Sequence, residues 1–146
     1  MDIRIKYKNL FRVDSTVSYD LPVISHIIPA GFPSPADDYS DQKLDLNTFL
    51  IKHPAATFFV KVEGDSMTGA GIQTGDMLIV DRALPVIDKA IVLAVVNGEF
   101  TIKRIRKVGT ELFLQPENEH FKPIKITQDM DFEVWGIVTF VIHGVK

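Results

Sequence analysis

Thr57-Phe58-Phe59-Val60-Lys61-Val62 leads through Glu63 into Gly64-Asp65-Ser66-Met67. The run is rich in β-branched and aromatic side chains and stops at a Gly-Asp turn signal, which reads as a strand and its exit. Ser66 therefore stands on a turn leaving a strand, held by rigid backbone and expected to be reachable from outside. Most serines in such turns bond only their own backbone. A chemical role for this one needs a base within reach.

Beyond this stretch the pattern is all strand and turn. Met77-Leu78-Ile79-Val80 and Ile91-Val92-Leu93-Ala94-Val95-Val96 are apolar runs of buried-strand length. Asn97-Gly98 offers a type I′ hairpin into Glu99-Phe100-Thr101-Ile102-Lys103-Arg104-Ile105. Leu112-Phe113-Leu114, Ile124-Lys125-Ile126 and the run from Val134 to Ile142 supply the remaining strands. Before the opening stretch, Asp45-Leu46-Asn47-Thr48-Phe49-Leu50-Ile51 predicts a short helix, with Asp45 as N-cap and Pro54 past its end. Leu46, Phe49 and Leu50 share one face, expected in the core or at a subunit contact.

Residues 1–44 are the least core-like. Ile3, Ile5 and Tyr7 alternate with Arg4, Lys6 and Lys8, which suits a short or edge strand, and Pro22, Pro29, Pro33 and Pro35 break any long helix or central strand. The apolar Val23-Ile24-Ser25-His26-Ile27-Ile28 lies between them. The expected organisation is an extended arm, 1–44, that docks or detaches, followed by a mainly β domain, 45–146. Neither an internal repeat nor a low-complexity segment is visible.

With 146 residues, the chain suits one domain plus an arm. A net charge of −3 argues against a dedicated DNA-binding surface, which needs clustered Lys and Arg. The arm also lacks the amphipathic helices of a helix-turn-helix domain, so direct sequence-specific DNA binding is not expected. There is no cysteine, and His26, His53, His120 and His143 lack the i, i+4 spacing of a helical metal site. No metal or other cofactor is expected. No apolar run approaches the ~20 residues of a membrane helix, and the start of the chain lacks the apolar block of a secretory signal. The expected location is the cytoplasm, with no membrane contact.

Lys103 is the candidate base. Period-2 alternation puts Thr101, Lys103 and Ile105 on one strand face, so Lys103 has apolar company. A free lysine, with pKa ~10.4, is neutral about once in a thousand molecules near pH 7, a shortage worth roughly 4 kcal/mol of barrier. Burial can lower that pKa by ~3–5 pH units and remove most of the shortage. On spacing alone, a surface lysine snorkelling beside Arg104, Arg106 and Lys107 is the better reading.

Four blocks change the balance. Gly31-Phe32-Pro33-Ser34-Pro35-Ala36, Gly64-Asp65-Ser66-Met67, Gly75-Asp76-Met77-Leu78-Ile79-Val80-Asp81 and Gly98-Glu99-Phe100-Thr101-Ile102-Lys103 occur in that order. Together they resemble the UmuD-type branch of the LexA-type self-cleaving serine peptidases, from about Leu21 to the C-terminus. Gln115-Pro116-Glu117-Asn118 and Phe121-Lys122-Pro123-Ile124 resemble the LexA-type loop before a late strand.

The resemblance implies a LexA/signal-peptidase-like β-rich catalytic domain with an extended N-terminal arm and one short helix. It implies Ser66 as nucleophile, Lys103 as general base, and backbone amides around Asp65 and Ser66 as oxyanion donors. It makes Ala30-Gly31 the scissile bond, where small side chains admit the backbone to a narrow cleft and Phe32, Pro33 and Pro35 fix an extended pose. Read from the residues alone, that pair is only a bend. The implied partners are a second copy in a homodimer, a RecA filament on single-stranded DNA as activator, and a Y-family DNA polymerase of the UmuC type. The implied setting is the DNA-damage (SOS) response and translesion synthesis. Rival readings are a non-enzymatic dimeric adaptor and a LexA-like or leader peptidase that cuts other proteins.

Overall fold

A computed structural model describes residues 10–13, 20–22 and 43–145. The described residues fall into two units, 10–13 with 53–145 and 20–22 with 43–52. In the smaller unit, β2 (Asp20–Pro22) pairs antiparallel with β3 (Lys43–Asp45), setting Leu21 opposite Leu44. The chain then enters α1 (Leu46–Leu50), whose N-cap is Asp45 as its sequence predicts. The Asp45 carboxylate accepts the Thr48 amide at 3.0 Å and the Thr48 hydroxyl at 2.6 Å, satisfying a donor that the first turn leaves unpaired. None of the helix is buried, and Leu46 and Phe49 stay about half exposed. A helix of little more than one turn has no room to seat its apolar face in a core.

The larger unit holds β1 (Leu10–Arg12), β4 (Thr57–Lys61), β5 (Met77–Asp81), β6 (Ile91–Val96), β7 (Glu99–Val108), β8 (Glu111–Gln115), β9 (Ile124–Lys125) and β10 (Phe132–Ile142). These form one sheet in the order β1-β4-β5-β10-β6-β7-β8-β9, with every pairing antiparallel. The mainly β class follows from the sequence pattern. Asn97 and Gly98 have φ of +49° and +83°, the two positive values that a type I′ turn between β6 and β7 requires. β1, which no local pattern marked, pairs Leu10 with Val60 and Phe11 with Phe59. Ile3, Ile5, Tyr7, Val23–Ile28 and the Ala30-Gly31 pair lie outside the described residues.

β10 holds the two halves of the sheet together. Its first part pairs with β6 and its second with β5, and Ile137 faces both Val92 and Asp81 at the handover. The register slips on either side, between Val134 and Gly136 and between Val138 and Phe140. Each slip adds one unmatched residue, which bends and twists the strand so that it can serve two neighbours. One buried cluster gathers Val60, Val62, Met67, Ile72, Leu78, Val80, Leu93, Phe100 and Ile102. Another gathers Val92, Ala94, Ile105 and Leu114. Trp135, the extra residue of the first slip, sets its ring edge-on to Phe100 at 4.9 Å, with the Arg82 guanidinium 4.7 Å from its centre.

Gly136 sits where β10 presses closest on β5. A Cβ there would lie 2.6 Å from Val80 Cγ1 and 3.2 Å from the Asp81 carbonyl oxygen. Val80 is fully buried and stiff at χ1, so it cannot swing aside. Gly136→Ala should therefore lower stability by about 1–3 kcal/mol, the usual penalty for overpacking a core. Urea unfolding checks this, and an unchanged midpoint would mean that β10 can shift away from β5.

Candidate active site

The turn after β4 is fastened before it reaches Ser66. Val62 donates its N–H to the Asp76 carbonyl and accepts from the Gly75 N–H, both at 2.9 Å. The Thr74 hydroxyl accepts from the Gly64 amide at 3.0 Å and donates to the Gly64 carbonyl at 2.9 Å. Gly64 has φ of +117°, a conformation that a side chain would disfavour. Past Ser66, Met67 is fully buried in the core, and its carbonyl accepts from Ala70 at 3.0 Å and Ile72 at 3.2 Å. A short 3₁₀ turn over Thr68–Ala70 completes the segment.

Ser66 is fully buried, not on an accessible turn as its sequence suggests. Two contacts account for this: Met67 draws the turn into the core, and Glu117, distant in sequence, donates its N–H to the Ser66 carbonyl at 2.8 Å. Lys103 is 1% exposed, which rules out the snorkelling surface lysine. It lies opposite Val92 on β6, while Thr101 lies opposite Ala94, so both side chains stand on one face of β7. Arg104 and Arg106, on the other face, are partly exposed, and Lys107 is exposed.

Three contacts define the Lys103 amine. Its Nζ lies 3.3 Å from Ser66 Oγ, 2.7 Å from Thr101 Oγ1 and 3.2 Å from the Ile102 carbonyl oxygen. These acceptors are two hydroxyls and a carbonyl, all neutral. A lysine amine beside a hydroxyl can take that hydroxyl's proton when the amine is uncharged. Thr101 is the residue whose part sequence reasoning missed. Its signal was present in the i, i+2 spacing to Lys103.

The remaining expected residues fall as follows. Asp65 is exposed, and its carbonyl accepts from Asn118 Nδ2 at 2.8 Å. Ala30 and Gly31 lie outside the described residues. His53 Nδ1 is 2.6 Å from Asp81 Oδ2 and His143 Nδ1 is 2.6 Å from Asp76 Oδ1, so these histidines tie down the two ends of β5. An open groove beside the turn is lined by Thr68, Gly69, Gln115, Glu117, Asn118 and Phe121, among others. Among the described residues, no helix is long and apolar enough to cross a membrane.

Residues 22–139 match the Peptidase S24-like family. The chain belongs to that family. It is 44% identical over 133 residues to protein ImpA of Salmonella typhimurium, covering 88% of each chain. It is 40% identical over 122 residues to protein MucA of Escherichia coli, covering 83% of each. Its similarity to the LexA repressor of Colwellia psychrerythraea is 36% identity over 127 residues, which span 85% of this chain and 58% of the repressor. As a Peptidase S24-like protein with UmuD-type and LexA-type kinship, the chain is a serine peptidase of the LexA type, the self-cleaving kind that acts in the SOS response.

Lys103 is among the largest fully buried side chains of this Peptidase S24-like domain. Lys103→Ala should leave a cavity, whereas Lys103→Met nearly preserves the volume and removes a polar group. The methionine variant is expected to be more stable than the alanine variant by about 2–5 kcal/mol in urea unfolding. Equal midpoints would place this side chain outside the core.

Proposed function

We propose that Ser66 and Lys103 form a Ser–Lys dyad that cuts the chain's own Ala30-Gly31 bond. The carrying observation is the buried Lys103 Nζ at 3.3 Å from Ser66 Oγ. In this reading neutral Lys103 takes the Ser66 hydroxyl proton as Oγ bonds to the Ala30 carbonyl carbon. The C–N bond then breaks, Lys103 returns the proton to the departing Gly31 amine, and Ala30 remains as an ester on Ser66. Water, deprotonated by Lys103, hydrolyses that ester and frees both Ser66 and the new carboxylate.

Peptide orientation supports a place for the oxyanion donors. In a trans peptide the C=O and the following N–H point in opposite directions. The Gly64 carbonyl is held by Thr74 and the Asp65 carbonyl by Asn118. The Asp65 N–H therefore points away from Thr74, and the Ser66 N–H points away from the Asn118 loop. Donors held in this way need no reorganisation as negative charge develops on the substrate oxygen.

Family membership supports the wider setting. The arm docks when a RecA filament on single-stranded DNA favours the competent state. The processed chain, as a homodimer, serves a Y-family DNA polymerase of the UmuC type as an accessory subunit in translesion synthesis. The acidic net charge fits a chain that reaches DNA through those partners.

The test is intact mass after incubation with activated RecA filaments, together with unassisted cleavage rates from about pH 6 to pH 10, a span that approaches the free-lysine value. A pair of fragments split at Ala30-Gly31 is expected. The unassisted rate should rise close to tenfold per pH unit while the amine is mostly charged, then level off once it is neutral. Ser66→Ala and Lys103→Met should be inactive at every pH, and Lys103→Arg should fail because guanidinium keeps its proton. A flat wild-type profile, or cleavage by Lys103→Met, would remove Lys103 from the mechanism. Maturation of Ser66→Ala at the same bond would favour a non-enzymatic adaptor.

A further inference from the structure

The segment that follows β8 is bonded to both sides of the Ser66 turn. Glu117 donates its N–H to the Ser66 carbonyl at 2.8 Å and accepts the Gly69 N–H on its own carbonyl at 2.7 Å. Asn118 Nδ2 donates to the Asp65 carbonyl at 2.8 Å, and Asn118 Oδ1 accepts the His120 amide at 2.9 Å. The approach is close enough that a Cβ on Gly69 would sit 2.6 Å from the Glu117 carbonyl oxygen. The turn carrying the serine thus moves only if residues 117 and 118 move.

The Glu117 side chain has one further partner. Arg104 Nε donates to Glu117 Oε1, and Arg104 Nη1 donates to the Lys89 carbonyl at 2.6 Å. Both side chains of this ion pair are only about a quarter exposed, at 28% and 27%, so the pair is partly shielded from water and salt. Arg104 is the residue next to Lys103 on β7. A continuous path therefore runs from the Ser66 backbone through Glu117 and Arg104 to the strand that bears Lys103. Nothing in the proton transfer itself uses it.

We propose that Glu117 and Arg104 are positioning residues that fix the distance and direction between Ser66 Oγ and Lys103 Nζ. This inference rests on the Ser66–Lys103 reading of the site. Proton transfer depends steeply on a donor–acceptor distance near hydrogen-bonding range, and a displacement of about 1 Å can lower a rate by roughly a hundredfold. The backbone bonds of residue 117 need no particular side chain. The carboxylate instead sets how deeply the segment seats against β7, because the arginine fork is directional.

The experiment uses the full chain and reads the level part of the alkaline self-cleavage profile and its midpoint pH for Ser66→Ala, Glu117→Gln, Arg104→Gln, the double glutamine variant and Arg104→Lys. Thermal melting runs alongside. Each glutamine single should lower the plateau about tenfold, or ~1.4 kcal/mol of barrier, with the midpoint moved by less than about half a pH unit. The double variant should lose about tenfold as well, not a hundredfold, because both substitutions break one link. Arg104→Lys, which keeps the charge but not the directional fork, should lower the plateau about as far as Arg104→Gln, and a lysine variant at the wild-type plateau would overturn the inference. A role confined to folding would lower the melting temperature and leave the plateau of folded protein where it was. Glutamine singles that cleave at the wild-type rate, a double variant whose loss is the product of the singles, or losses explained by unfolding at the assay temperature would overturn the inference. Cleavage by Ser66→Ala would instead remove the dyad reading, so the two failures are distinct.

Discussion

Withdrawing the Lys103 amine from water to within 3.3 Å of Ser66 Oγ is the most demanding thing this fold does. A long cationic side chain is almost never fully buried unless something compensates for lost hydration. Three oxygens within hydrogen-bond range of Nζ supply part of the compensation, and the apolar packing of the surrounding strands offsets part of the cost. Val92, Ala94, Ile105 and Leu114 form a buried cluster on the strands around it, and each large aliphatic member contributes roughly 1.5–3 kcal/mol by leaving water. The sheet order is part of the same solution. β7 pairs with β6 over residues 99–104 and with β8 over residues 104–108, so Lys103 sits in the β6 ladder just before the strand passes to its second partner.

The serine side of the contact is held differently. No strand carries Ser66. Its position comes from a turn anchored by Met67 in the core, by Thr74 on Gly64, and by the Glu117 and Asn118 bonds. A turn fixed at so many points cannot adapt when a substrate arrives, which suits chemistry that gains from prearranged groups. Rigidity also gives restraint a physical basis. If the catalytic groups are already in place, control of the reaction falls to whether the scissile segment reaches them and to whether the amine is neutral.

Much of this could be read from sequence, and the omissions share a cause. Strands β4 to β8 were visible because β-branched runs with turn residues between them have few other ways to fold, and the Asn97-Gly98 turn leaves almost no choice. The Asp45 cap was visible for the same local reason. Lys103 beside Arg104, Arg106 and Lys107 looked exposed because charge content is a local signal, whereas its burial depends on β6 and on the Ser66 turn, the latter distant in sequence. Ser66 looked accessible because most turns are; its burial depends on Met67 turning inward and on a segment fifty residues away in sequence. The double slip of β10 was hidden too, since no local pattern announces that one strand will serve two partners. The four blocks carried the family because they bracket the residues that these long-range contacts bring together.

The placement of the shortest strands bears on what a cut at Ala30-Gly31 would accomplish. That bond falls in the stretch whose ends are β2 and β3, which pair with each other at Asp20–Asp45, Leu21–Leu44 and Pro22–Lys43. The piece released by cleavage would carry β1 as well, still paired with β4 through Leu10, Phe11 and Arg12. On this proposal, hydrolysis alone would not remove the arm. It would change the character of those pairings from intramolecular, favoured by the high effective concentration of a tethered segment, to bimolecular and dependent on dilution. Pairings of three residues are too short to be stable without such help. In the proposed reaction, breaking one peptide bond would be enough to make the arm a dissociable peptide, and its departure would take only the edge strand β1 from the sheet that carries Lys103.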